Sequence, residues 1–134
     1  MDKSTIESSL ISAIAQCDSA ILEEEGGVIV VKDDSFKFIK LTNDNAGKPI
    51  ARGLWTANPK EYGQKVITTF RDGWKQHASF HTHPQFAPYP SDIDLTKLFQ
   101  SFKTNYIYSN KYNRLVRYTW NAAGDALDGF EIDL

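Results

Sequence analysis

Residues 26–31 read Gly-Gly-Val-Ile-Val-Val, and the last four form an unbroken β-branched apolar run. A short run without polar alternation reads as a strand buried on both faces. A chain built on such a strand must cover it from two sides. The segments around it should therefore supply a sheet and helices to lie on it.

Upstream, Ile6, Leu10, Ala13, Ile14, Cys17 and Ile21 recur at helical spacing and make one apolar stripe. Ser4 and Glu7 have the spacing of a capping box. Gly26-Gly27 is expected to stop this helix near residues 23–25. Downstream, Asp33-Asp34 turns the chain, and residues 35–41 give a second strand. Residues 42–58 are loop-like, with a short strand expected around Leu54. Asn58-Pro59-Lys60-Glu61 starts a second helix whose buried face is Val66, Phe70 and Trp74, although the β-branched run at 66–69 competes as a strand.

Residues 74–83 read as a strand with Ala78, Phe80 and Thr82 on one face and Ser79, His81 and His83 on the other. Residues 91–102 form a helix with Leu95, Leu98, Phe99 and Phe102 on one side. Strands at 105–109, 114–120 and 130–134 close the chain, with turns at Asn110-Lys111 and Ala123-Gly124-Asp125. The fold class is α/β (α+β), a mixed central sheet flanked by helices in one domain over residues 1–134.

A core of this size is viable without disulfides. Cys17 is the only cysteine, so no internal disulfide can form, and a reducing, cytoplasmic setting is expected. No basic leader or stretch of roughly 20 apolar residues points to secretion or a membrane span. A formal charge of −2 with no Lys/Arg cluster argues against nucleic-acid or membrane partners.

The chemistry concentrates in residues 79–94, SFHTHPQFAPYPSDID. On an extended strand His81 and His83 share a face and can reach one ion. A turn through residues 84–90 brings Ser91 and Asp94 onto the first turn of the next helix. Asp94 can then complete a His-His-Asp set for zinc, leaving the fourth position open, as in catalytic zinc sites. Zinc supplies a nucleophile at neutral pH. Ser91 can support an oxyanion, and a separate base is required. The acidic cluster Glu23-Glu24-Glu25 offers one.

His81-Thr-His83, seven residues, then Ser91-x-x-Asp94 resembles the JAMM signature of the MPN+ (JAB) metalloproteases. That resemblance implies an MPN/JAB-like, cytidine-deaminase-like fold. It implies zinc (Zn2+) held by His81, His83 and Asp94, and Ser91 stabilising the tetrahedral intermediate. The family's upstream base occurs as Glu-x-x-Gly, which maps to Glu24 through Gly27, with Glu23 and Glu25 as alternatives. It implies cleavage of a peptide or isopeptide bond in a protein or peptide substrate, such as the tail of a ubiquitin-like protein. A non-catalytic MPN-type interaction module, or a toxin- or defence-associated domain with another amide substrate, is the alternative.

Each element also has an ordinary reading. Ser91-x-x-Asp94 alone is a helix cap, and that role is compatible with the metal role. His77 lies about 13 Å along the strand from His81, too far to share an ion. Trp55, Trp74 and Trp120 read as core or rim aromatics, and Ser79 as packing. Two other zinc hydrolase types are excluded: the amidohydrolase barrel needs about 250 residues, and a zinc deaminase needs a Cys-x-x-Cys.

Overall fold

The structure, a computed structural model, describes residues 3–17 and 22–133, with side chains in the first helix from Ile6 onward. Helix α1 (Lys3–Gln16) is followed by strands β1 (Gly26–Lys32) and β2 (Ser35–Leu41). A 3-10 turn (Pro49–Arg52), helix α2 (Pro59–Lys65) and a second 3-10 turn (Ile67–Asp72) lead to β3 (Lys75–His83). A π-helical turn (Asp94–Leu98) runs into α3 (Phe99–Ser101), and β4 (Thr104–Ser109), β5 (Arg114–Trp120) and β6 (Leu127–Ile132) complete the order.

The six strands form one mixed sheet in the order β2-β1-β3-β4-β5-β6. Every neighbouring pair is antiparallel except β3 and β4. A parallel pair needs a crossover, and the segment carrying the π turn and α3 supplies it. His83 is the last residue of β3, so the crossover begins where the histidines end.

The buried run of β1 is explained by cover on both sides. Ile29 joins Leu10, Ala13 and Cys17 from α1, with Phe38, Ala78 and Phe80, in one core. Val28 and Val30 point the other way, into a core with Leu41, Trp55 and Val66. Phe99 of α3 packs on Ile107, Val116 and Tyr118 on that same second side. Leu10 is 2% exposed, so truncating it to alanine would cost about 2–5 kcal/mol. Among the described residues no helix is long and apolar enough to cross a membrane.

Several expectations are corrected. Helix α1 ends at Gln16, not near residues 23–25. Gly26 and Gly27 open β1 instead of stopping a helix, because there is no room for a side chain. A Cβ at Gly26 would lie 2.3 Å from Phe80 O, and one at Gly27 would lie 2.1 Å from Ile39 O. No strand forms at Leu54, where the chain makes only an isolated bridge between Asn43 and Ala57. The segment after α2 is a 3-10 turn, not a strand; Val66 is buried but Phe70 stays 39% exposed. Phe102 takes an extended conformation after α3, so it caps that helix from outside. The final strand runs Leu127–Ile132, earlier than residues 130–134. The side chain of Ser4, and with it the proposed capping box, lies outside the described residues, as do Ile21 and Leu134.

The second helix start holds: the Asn58 side chain accepts from the Glu61 N–H at 3.0 Å, and Pro59 occupies the first turn.

Candidate metal centre

Strand alternation puts His81 and His83 on the face that carries Val28 and Val30, at the end where β1 begins opposite them. Both imidazoles are buried, and their Nε2 atoms are 3.2 Å apart. The His83 Nδ1 lies 2.9 Å from the Ala87 carbonyl oxygen. A carbonyl only accepts, so Nδ1 carries the proton and a neutral His83 directs a lone pair from Nε2 into the site. His81 is fixed differently. Its ring lies nearly parallel to Trp55, with centroids 6.2 Å apart and planes 11° apart.

Asp94 enters from the crossover. Its Oδ2 is 3.2 Å from His81 Nε2 and 3.4 Å from His83 Nε2. The Ser91 N–H donates to the same oxygen at 3.0 Å, and the Asp94 N–H donates back to Ser91 Oγ at 3.1 Å. Asp94 begins the π turn, in which the Phe99 N–H reaches the Asp94 carbonyl. Such turns are frequent at functional sites. Burial alone would raise the Asp94 carboxyl, but without a metal the protonated forms of His81 and His83, together with the Ser91 N–H, outweigh it and hold the group far below the usual carboxylate range.

Glu24 faces the same nitrogens from β1's entry. Its Oε1 is 3.9 Å from His81 Nε2 and its Oε2 is 3.8 Å from His83 Nε2. Burial pushes its carboxyl up to about 7, against the lowering charges of His81 and His83 and with the Asp94 charge in support. Its neighbours turn elsewhere: Glu25 pairs with Lys40 at 2.9 Å, and Glu23 accepts from the Gly47 N–H at 3.0 Å. For His83, burial lowers the pKa, but Asp94, Glu24 and the Ala87 carbonyl raise it further, so the net direction is up.

The donor set fits a metal ion. Four-coordinate zinc with ligands at about 2.0–2.1 Å sets neighbouring ligand atoms about 3.3 Å apart. The triangle His81 Nε2, His83 Nε2 and Asp94 Oδ2 has edges of 3.2, 3.2 and 3.4 Å. A second set is also available, since the ligand atoms of Glu24, His81 and His83 all lie within 4.8 Å of one another. We favour the first triangle, because the Glu24 oxygens stand about half an ångström beyond the spacing that direct coordination needs.

The structure thus brings together His81, His83, Asp94 and Glu24, with Ser91 bonded to Asp94. His77 is apart, its ring edge-on to Phe36, and Ser79 is buried against Asn105. Trp74 and Trp120 sit half-buried at the rim, whereas Trp55 is buried against the site. A groove of about 690 Å³ opens beside Asp94, walled by Trp55, Tyr62, Ile93, Leu98 and Phe102. Two contributors have no sequence signal: the Ala87 carbonyl, a backbone group, and Asn43, which lies in an aperiodic loop.

Among solved structures, a protein from Desulfitobacterium hafniense is similar over 98% of this chain and 89% of its own, at 20% identity and a TM-score of 0.66. A protein from Salinibacter ruber covers 96% and 86%, at 18% identity and a TM-score of 0.56. A JAB1/MPN domain protein from Archaeoglobus fulgidus covers 94% and 91%, at 18% identity and a TM-score of 0.51. At these identities the likeness shows the fold. Among curated proteins, none matches the chain. The family model for prokaryotic homologues of the JAB domain matches residues 7–122, a span that includes Glu24, both histidines, Ser91 and Asp94. The chain belongs to this family of prokaryotic JAB-domain homologues.

Proposed function

We propose that this protein is a zinc-dependent hydrolase of amide bonds, a JAMM-type metallopeptidase or isopeptidase. The observation that carries this is the triangle of His81, His83 and Asp94 with a buried carboxyl, Glu24, set just outside it. Bound zinc would supply a Lewis acid and a nucleophile at neutral pH.

The chain's own residues supply the rest. His81, His83 and Asp94 hold the ion. Glu24 is the general base and acid: burial brings its proton affinity close to neutral pH, where proton transfer in both directions is efficient. Ser91 Oγ already accepts from the Asp94 N–H, so its own proton is available to a developing oxyanion. The groove beside Asp94 is concave and largely apolar, the shape that holds an extended peptide or a flexible protein tail. A ubiquitin-like C-terminal tail is the favoured substrate.

The test is metal analysis of purified protein together with a cleavage screen. Ubiquitin-like fusions and unstructured peptides are incubated with and without a chelator. We expect one zinc per chain and chelator-sensitive cleavage. Absence of both stoichiometric metal and cleavage overturns the reading and favours an interaction module; cleavage that survives removal of the metal overturns the zinc-dependent mechanism.

A further inference from the structure

Asn43 lies just beyond β2, is 7% exposed, and directs its side-chain hydrogen bonds to residues other than the histidines and Asp94. Its carboxamide makes four hydrogen bonds. Nδ2 donates to the Glu24 carbonyl at 3.0 Å and to the Leu54 carbonyl at 2.8 Å. Oδ1 accepts from the Asn45 N–H at 3.0 Å and from the Thr56 N–H at 3.3 Å. Those four bonds use both donors and both lone pairs of the amide. They tie the backbone of Glu24 to the two residues that flank Trp55.

Glu24 and Trp55 both address His81. Trp55 stacks on its ring, and Glu24 Oε1 faces its Nε2 at 3.9 Å. Glu24 Oε1 is buried with no hydrogen-bond partner among the described residues. Its main chain is pinned at both ends: the N–H donates to the Ala51 carbonyl at 2.7 Å and the C=O accepts from Asn43. Smaller or charged replacements cannot make these four bonds. Aspartate has the shape but no donors, serine has one donor, and alanine has neither donor nor acceptor.

We propose that Asn43 is a positioning residue that sets Glu24 and Trp55 against His81. It fixes the base and the wall of the groove as one unit, without touching the reacting atoms. This deepens the hydrolase reading and rests on Glu24 acting at this site.

The experiment compares wild type with Asn43→Ala, Asn43→Asp and a control, Asn121→Ala. Asn121 also makes several side-chain hydrogen bonds, but in the turn between β5 and β6. Amide hydrogen exchange is read on the zinc-loaded proteins. In both Asn43 variants the Glu24 amide, which bonds to Ala51 and not to Asn43, is expected to lose at least tenfold protection. The amides of Val28 to Val30 should keep theirs, and Asn121→Ala should leave Glu24 unchanged. Turnover of a ubiquitin-like fusion should show kcat at least tenfold lower in both Asn43 variants, a larger change than any in KM, with zinc content unchanged.

Full protection at the Glu24 amide in Asn43→Ala overturns the inference, as does an equal loss in Asn121→Ala. Normal turnover in Asn43→Asp overturns it too, because that variant keeps the size and lacks the donors. A wild type that binds zinc but cleaves nothing counts against the hydrolase reading alone, and the exchange arm still decides the role of Asn43.

Discussion

Ser91 and Asp94 hold each other: the Ser91 N–H donates to Asp94 Oδ2 and the Asp94 N–H donates to Ser91 Oγ. The oxygen that receives the Ser91 N–H is also the one that faces both histidines. Helix capping and ligand placement are therefore one arrangement. Ser91→Ala should cost about 1 kcal/mol of stability from the lost cap, read by urea unfolding. It should keep its zinc, because the backbone N–H of residue 91 remains. Turnover should fall by about 100-fold or more if the hydroxyl meets the oxyanion. A variant as active as wild type would leave Ser91 as a cap only.

The two available ligand triangles make opposite predictions. His81→Ala and His83→Ala should abolish stoichiometric zinc in either case. With Asp94 as the third ligand, Asp94→Ala loses zinc and Glu24→Gln retains it while hydrolysis stops. Metal analysis of the four variants reads this directly. Zinc lost from Glu24→Gln but kept by Asp94→Ala would place the ion in the other triangle.

Burial of Glu24 sets a pH dependence for the metal-free protein. Its carboxyl is pushed from 4.5 up to about 7. A raised pKa means the folded state holds a proton that the unfolded chain releases. The contribution is fully present below about 4.5 and is lost as pH rises through about 7. His83 is also raised, so its contribution disappears in the same direction. Chelated wild type should lose on the order of 1–3 kcal/mol between pH 5 and 7.5. Glu24→Gln should flatten that slope, as measured by denaturant titration across pH. A steeper slope in the glutamine variant would rule Glu24 out as its source.

Strand alternation made the histidine pair legible, because His81 and His83 need only an extended backbone to share a face. The capping spacing likewise located Ser91 and Asp94. Long-range packing was not legible. A glycine pair after an acidic stretch is the same signal whether it ends a helix or opens a crowded strand. What distinguishes the two is the closeness of Phe80, Trp55 and Ile39, residues 12 to 54 positions away. The loop holding Asn43 and Trp55 carries no periodicity, so its bonds to Glu24 and its stack on His81 could not be read. The π turn at Asp94 was not legible either, since its sequence has ordinary helical spacing.

Gly26 offers the sharpest test of that crowding. A Cβ there would lie 2.3 Å from Phe80 O and 2.9 Å from both His81 Cβ and Trp55 Cε2. The first neighbour is backbone within the sheet, so it cannot simply rotate away. Gly26→Ala should cost about 1–3 kcal/mol, in the range for overpacked cores. It should also weaken zinc binding, because the strain falls on the His81 side chain and on the tryptophan that stacks on it. A competition titration with a chromogenic chelator reads the affinity, and thermal melting reads the stability. Gly63→Ala is the control, since a Cβ there meets nothing within 4 Å and the position is helical. That variant should be neutral to stabilising by up to about 1 kcal/mol with unchanged affinity. Equal zinc affinity in Gly26→Ala and wild type would show that β1 can shift without disturbing His81, and that the glycine serves the sheet alone.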